Sequence, residues 1–332
     1  MPMTKEQKIV VDFYEAIGNA TEKHLTDIID GPLVHNFILN PSGQTNIRTI
    51  IKNARKNNYM ISCLKQQIIV QIPKETAQTI PLENLLKSKE FKNTNAVLPI
   101  VMGVDTFGNI MINDLRKMPH VLVAGRTGCG KSMFFNCILK SLQVAVTSAE
   151  CKFMILDPKG VDYDMWESDK HLMCPIVKLD ADVAVQKLRE VSEIIEERYQ
   201  KLQTNKVKNI EEYKKKTNKK DMPYIVVLID EFADLITVAC KEVESYVQYI
   251  VRNARTVGIH LILGTQHIGK DVLPAVIKEN MPTRIAFRTR TLAESIQILD
   301  ERGAEILLPC ADMLFSDGGQ VPVRIHAPYV KY

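Results

Sequence analysis

The stretch His120-Val121-Leu122-Val123-Ala124-Gly125-Arg126-Thr127-Gly128-Cys129-Gly130-Lys131-Ser132 decides the fold. Its second half satisfies G-x-x-x-x-G-K-[ST], and the chemistry requires that spacing. Glycines let consecutive backbone N–H groups turn inward around phosphates. Lys131 then reaches the β and γ oxygens, and Ser132 offers its hydroxyl to Mg²⁺. The apolar run 121–124 predicts a strand entering the loop. Met133-Phe134-Phe135-Asn136-Cys137-Ile138-Leu139 predicts a helix leaving it, with the positive end of its dipole toward the phosphates. The expected nucleotide contacts are therefore Gly125, Arg126, Thr127, Gly128, Cys129, Gly130, Lys131, Ser132 and Met133.

Tyr224-Ile225-Val226-Val227-Leu228-Ile229-Asp230-Glu231 supplies the second half of such a site. An apolar strand ends in an acid that can hold the water shell of Mg²⁺, so Asp230 joins Ser132 as a metal candidate. Glu231 is placed to activate an attacking water. His260-Leu261-Ile262-Leu263-Gly264-Thr265-Gln266 is a third strand ending in polar groups, and Gln266 can sense the γ-phosphate. The catalytic candidates here are Lys131, Glu231 and Gln266, with ATP and Mg²⁺ as cofactors. Asp157-Pro158-Lys159-Gly160 fits DxxG and Asn218-Lys219-Lys220-Asp221 fits NKxD, both familiar from GTPases. A guanine-reading NKxD should end an apolar strand. This one sits in a Lys-rich segment before the strand at 225, so guanine recognition is not expected.

Outward from the loop, short apolar strands are expected at 120–124, 153–156, 225–229, 260–263, 284–287 and 313–315. Helical stretches alternate with them, the clearest at 183–199. Continuous apolar strands alternating with helices indicate an α/β fold with a mostly parallel sheet. Before residue 100 the pattern differs. Residues 1–30 suggest one amphipathic helix, with Ile9, Val10, Phe13 and Ile17 near helical spacing. Strands at 33–39 and 68–72 and a helix at 46–57 make a small α+β unit. The expected division is a helical segment at 1–30, a small α+β domain with its polar connector at 31–99, and a P-loop domain at 100–332. The lysine-rich run 206–220 reads as a mobile solvated loop.

Composition narrows the function classes. The chain has 332 residues, 45% hydrophobic and 25% charged, which suits one or two globular domains with a sizeable core. Seven Cys without a CxxC pair argue against a zinc ribbon or a secreted disulfide scaffold. No apolar run reaches about 18 residues, and the N-terminus lacks a signal-peptide core, so a cytoplasmic chain is expected. A net charge of +4 permits a nucleic-acid partner without arguing for one.

The segment from Lys117 through Ser132 resembles the signature of the FtsK/SpoIIIE DNA translocase family. Ile155-Leu156-Asp157-Pro158-Lys159, Leu228 to Leu235, Ala254-Arg255-Thr256-Val257-Gly258-Ile259-His260, Asn280 to Phe287, and Ile298-Leu299-Asp300 with Gly303-Ala304-Glu305 follow in the family's order. Gly31-Pro32 and Gly103-x-Asp105 also match. The resemblance is strong over 100–330 and fainter over 27–99. It implies a small domain and a RecA-like motor, assembled as a homohexameric ring around double-stranded DNA, with ATP bound between subunits. By position it implies that Arg255 is an arginine finger reaching a neighbour's γ-phosphate.

Departures from the family pattern concern other loops. After Thr265-Gln266 the sequence reads His267-Ile268-Gly269, and the usual Gly-x-Gly before Asp312-Met313-Leu314 is Pro309-Cys310-Ala311. These put the DNA-tracking contacts and the C-terminal turn in doubt. With its end at Tyr332, the chain is expected to be a minimal or truncated motor without winged-helix or membrane modules. That leaves room for a separate membrane-anchor subunit.

DNA contact would be electrostatic and sequence-blind, with Lys270, Lys278, Arg288 and Arg290 as candidates on the loops after Gln266 and Phe287. The leading expectation is a double-stranded DNA translocase. A protein-secretion ATPase of the type VII kind and a conjugative coupling motor are the alternatives. Cys129 stands where the family commonly has a small non-thiol residue. Two readings are open: beside a helix N-terminus and Lys131 its thiol is accessible and biased toward thiolate, or Cys129 merely replaces Ser with its sulfur turned away.

Overall fold

In this computed structural model the described residues are Phe13, 25–40, 47–64, 67–74, 78–178, 180–269, 272–319 and 321–331. The chain divides into two compact units. One runs to Thr79 and takes in Val104–Asn109; the other comprises Ile80–Gly103 and Ile110–Tyr332.

The smaller unit holds β1 (Leu25–Asp30), β2 (Val34–Leu39), α1 (Ile47–Lys56), β3 (Met60–Leu64) and β4 (Gln67–Pro73), with strand order β1-β2-β4-β3. Phe37, Leu39, Ile50, Ala54 and Val70 form its core, and Phe13 stacks on Phe37 with ring centroids 4.0 Å apart. Residues 25–30 are thus an edge strand rather than the end of a helix. The pattern misleads there because only one side of that strand is covered. Ile9, Val10 and Ile17 lie outside the described residues. Asn36 donates to the Thr106 carbonyl at 2.6 Å, which brings the 104–109 turn into this unit.

The larger unit begins earlier than the sequence suggested. The expected connector contains α2 (Leu82–Leu86) and α3 (Lys89–Lys92). They belong here because Leu82, Leu85 and Phe91 are buried and because Leu82 and Tyr329 N–H groups bond to the Tyr329 and Ile80 carbonyls, both at 2.8 Å. Then follow β5 (Pro99–Asp105), β6 (Ile110–Asp114), β7 (His120–Ala124), α4 (Lys131–Ala145), β8 (Cys151–Asp157), β9 (Val177–Lys178), α5 (Ala181–Thr204), α6 (Ile210–Thr217), β10 (Tyr224–Ile229), α7 (Phe232–Asn253), β11 (Ile259–Thr265), α8 (Ala275–Glu279), β12 (Thr283–Phe287), α9 (Leu292–Leu299), β13 (Asp312–Ser316) and β14 (Val323–His326). The expected mobile lysine loop is partly helix. Asn209 caps α6 by accepting from the Glu212 N–H, and Ile210 and Tyr213 anchor it in the core.

One ten-stranded sheet organises this unit, in the order β6-β5-β14-β13-β12-β7-β11-β10-β8-β9. From β12 to β9 every pairing is parallel, while β12–β13 and β13–β14 are antiparallel. Among the parallel strands, β7 lies between β12 and β11, the arrangement of a RecA-like P-loop motor. Strand order reverses there, and in such sheets ligands bind at the carboxyl ends beside the reversal. Register delivers the parts. Thr265 pairs with Ala124, Ala286 with Ala124, and Ile229 with both Leu263 and Leu156. The ends of β7, β8, β10, β11 and β12 therefore lie along one edge. Gly264 is needed for this. A Cβ there would lie 2.3 Å from the Asp230 carbonyl and 2.7 Å from the Phe135 ring, so a side chain would push α4 off the sheet.

Candidate nucleotide site and its surroundings

β7 leads into the glycine-rich loop, and Gly130 at φ 107 caps α4, a left-handed conformation in which a side chain would be strained. The loop is tied from both sides. The Arg126 N–H donates to the Arg288 carbonyl at 3.0 Å, and the Ala311 N–H donates to the Cys129 carbonyl at 3.0 Å. The first turn of α4 carries Lys131, 6% exposed, whose ammonium donates to the Gly125 carbonyl at 3.1 Å. Burial pulls the Lys131 pKa down, and nearby Cys129, Glu231 and Asp230 pull it back up. No carboxylate among the described residues is within ion-pair distance of this ammonium. A buried cation so placed is suited to an anion that approaches from the loop.

Asp230 follows β10 and is almost fully buried. Burial pushes its carboxyl up to about 6, with repulsion from Asp162 adding to the effect and Lys131 opposing it. The Ser132 hydroxyl is 3.4 and 3.5 Å from its two oxygens. A hydroxyl and a desolvated carboxylate at this spacing suit a hard divalent cation with oxygen ligands such as Mg²⁺.

Glu231 is buried at the N-terminus of α7. Its Oε1 accepts the Gln266 N–H at 2.9 Å, and its Oε2 is 3.8 Å from Lys159 Nζ. The Gln266 side chain in turn accepts from the Thr127 hydroxyl. Gln266 therefore joins Glu231, through its backbone, to the phosphate loop, through its amide. The sequence-selected residues Lys131, Ser132, Asp230, Glu231 and Gln266 come together here. Lys159 joins them although it was read only as part of a family motif and a GTPase look-alike. Its signal was position: it follows β8, whose end lies beside β10.

The other candidates fall elsewhere. Arg255 is exposed at the start of a 3₁₀ turn ahead of β11, at the opposite edge of the sheet, close enough to His120 to repel its protonated form. Arg288 follows β12 beside the loop, and Arg290 is exposed just after it. The Lys278 ammonium pairs with Asp300 at 2.7 Å, and Arg284 pairs with the same carboxylate. Lys270 lies outside the described residues. Of the two readings of Cys129, the structure matches the one in which its sulfur is turned away. Its side chain is 2% exposed, and burial pushes the thiol pKa up despite Lys131 nearby. Among the described thiols the exposed one is Cys310, which donates to the Gly128 carbonyl at 3.7 Å.

Comparison with known proteins agrees with this geometry. The FtsK/SpoIIIE family matches residues 81–270. The chain belongs to the FtsK/SpoIIIE family. DNA translocase FtsK of Haemophilus influenzae is 39% identical over 293 residues, which is 80% of this chain and 55% of that protein. DNA translocase SftA of Bacillus subtilis is 34% identical over 322 residues, 92% of this chain and 34% of that one. The chain thus spans about half the length or less of these relatives. Among solved structures, the pCW3 conjugation coupling protein TcpA, in a monomer form with ATPγS, superposes with a TM-score of 0.68 at 24% identity, covering 96% of this chain and 95% of that one. The cytoplasmic domain of the type VII secretion ATPase EccC of Thermomonospora curvata gives 0.68 at 22% identity, over 76% and 32%. Both likenesses establish the P-loop ATPase fold. The FtsK/SpoIIIE match includes Lys131, Asp230, Glu231, Arg255 and Gln266 and ends before Lys278, Arg288 and Arg290.

Among the described residues, no helix is long and apolar enough to cross a membrane.

Proposed function

We propose that this chain hydrolyses ATP and uses the energy to move double-stranded DNA, working as a homohexameric ring on the cytoplasmic side of the cell. The observation that carries this is the buried set Lys131, Asp230 and Glu231, with half-buried Ser132 beside Asp230, at the carboxyl edge of a parallel sheet. The loop N–H groups and Lys131 bind the phosphates, and the α4 dipole adds to their attraction. Ser132 and Asp230 would hold Mg²⁺, which supplies positive charge to the phosphates when bound. Glu231 orients and deprotonates the attacking water, and the Gln266 N–H fixes one of its oxygens so that the other can face the water.

Arg255 cannot reach its own site from the far edge of the sheet. In a ring it would supply its guanidinium to the adjacent subunit, as the family resemblance suggests. DNA would run past the loops after β11 and β12, where Arg288, Arg290 and Lys270 offer cations to phosphates. Lys278 would have to leave Asp300 to take part. A membrane-anchoring partner is compatible with this reading and is not required by it.

The test is the ATPase rate with and without linear duplex DNA. Wild type should be stimulated by duplex of any sequence, with stimulation falling steeply as salt rises. Lys131→Ala should lose nucleotide binding, and Glu231→Gln should bind ATP without hydrolysing it. Absence of stimulation at every salt concentration would reject DNA as the substrate. A wild-type rate in Glu231→Gln would reject the base.

A further inference from the structure

Both oxygens of Glu231 are engaged before any nucleotide is considered, and the two partners differ in kind. The Gln266 N–H is a fixed backbone donor at 2.9 Å. Lys159 Nζ, at 3.8 Å, is beyond hydrogen-bond distance and holds Oε2 by charge alone. The Lys159 side chain is 40% exposed while that of Glu231 is 3% exposed. The mobile, solvated member of the pair is therefore the cation.

The turn bearing Lys159 is rigid. The fully buried Asp157 carboxylate accepts from the Lys159 and Asp162 N–H groups, each at 3.2 Å, and the Gly160 N–H donates to the Asp157 carbonyl at 3.0 Å. Only the side chain of Lys159 is free to swing. Its charge also reaches the phosphate pocket, since it is among the charges acting on Lys131. A solvated ammonium thus pairs with Glu231 and is near enough to Lys131 for its charge to be felt there.

We propose that Lys159 reads the terminal phosphate: it holds Glu231 when that phosphate is absent and transfers to it when it is present, freeing Oε2 for the water. This rests on the nucleotide site proposed above and adds a residue and a discrimination to it. A nucleoside diphosphate brings no terminal phosphate, so Lys159 stays on Glu231 and contributes nothing to diphosphate affinity. A triphosphate gains a charge-assisted contact. Contacts of that kind change affinity by roughly ten- to hundredfold.

The experiment is direct binding of ATPγS and of ADP, each with Mg²⁺, to wild type, Lys159→Met and Lys159→Arg. Lys159→Met should weaken ATPγS by roughly tenfold or more and leave ADP within about twofold, collapsing the preference between them. Lys159→Arg should restore most of the preference. A Lys131→Ala control separates the two claims, because it should lose both nucleotides. Equal weakening of ATPγS and ADP in Lys159→Met, or no change in either, would overturn the role of Lys159 while the site stands. Wild type binding neither nucleotide would remove the site and this inference with it.

Discussion

If Arg255 serves a neighbour, two inactive variants should rescue each other. β11 has seven residues, so Thr265 beside the phosphate loop is about 20 Å from the edge where Arg255 sits. An arginine side chain spans far less, so the guanidinium and Glu231 of one active site must come from different chains. Arg255→Ala keeps its own Glu231 and lacks the finger it would donate. Glu231→Gln keeps Arg255 and lacks its own base. Alone, each should lose most hydrolysis, since arginine fingers contribute about 10³–10⁵ in rate in other NTPases. In an equimolar ring of both, a complete site needs an Arg255→Ala chain followed by a Glu231→Gln chain. With random placement about one site in four meets that condition, so about a quarter of the wild-type rate should return. The assay is steady-state ATPase with duplex DNA on co-purified rings, each variant carrying a different tag to prove mixing. A rate in verified mixed rings no higher than the mean of the two variants alone would refute a shared site.

The remaining predictions follow from burial. His120 and His260 are held down at about 3 and about 4, chiefly by desolvation, against 6.5 when exposed. Above pH 6.5 they are neutral folded or unfolded; between there and about 4 only the unfolded chain takes up their protons, so stability falls as pH falls. His260→Gln should lower the slope of unfolding free energy against pH by about 1.4 kcal/mol per unit near pH 5, measured by urea titration; an unchanged slope would contradict this. A maleimide on the native protein should label Cys310 and spare Cys129, read by peptide mass spectrometry, and equal labelling would contradict the burial of Cys129. Arg324 donates to Asp312 at 3.0 and 2.7 Å with both side chains buried. Arg324→Met should therefore cost about 3–5 kcal/mol in urea unfolding, with partial recovery on adding Asp312→Asn. A loss under about 1 kcal/mol would mean that the pair is not buried as described.

The central strands were legible because nature buries parallel strands on both faces, which leaves continuous apolar runs such as 225–229. The chemistry was legible because glycine, lysine and the acidic pair Asp230-Glu231 stand at fixed offsets from those strands. Strands β5, β6 and β14 were not foreseen. β6 is only half-buried, and β5 and β14 lie side by side in the sheet although they are far apart in sequence. Periodicity cannot show such pairing. The look-alike Asn218-x-x-Asp221 has a local explanation. Asn218 closes α6 in a left-handed conformation, and Asp221 accepts from the Tyr213 hydroxyl and pairs with Lys201. The role of Lys159 was out of reach of spacing, because its partner Glu231 is brought to it only by the pairing of β8 with β10.

The turn at Pro309-Cys310-Ala311 holds a left-handed backbone without glycine. Glycines are expected where the backbone must turn left-handed, and Cys310 and Ala311 adopt φ of 65 and 63 without being glycine. Each costs about 1–2 kcal/mol in local strain. The cost is met by what the turn holds: the Ala311 N–H on the Cys129 carbonyl, and the Ala311 carbonyl on the Ala327 N–H at 2.7 Å. Those two bonds tie the phosphate loop to the segment after β14. Relaxing the turn would unpair groups close to buried Cys129, where an unmet hydrogen bond costs about 1–3 kcal/mol. The strained conformation is therefore the lower-energy choice for the whole loop.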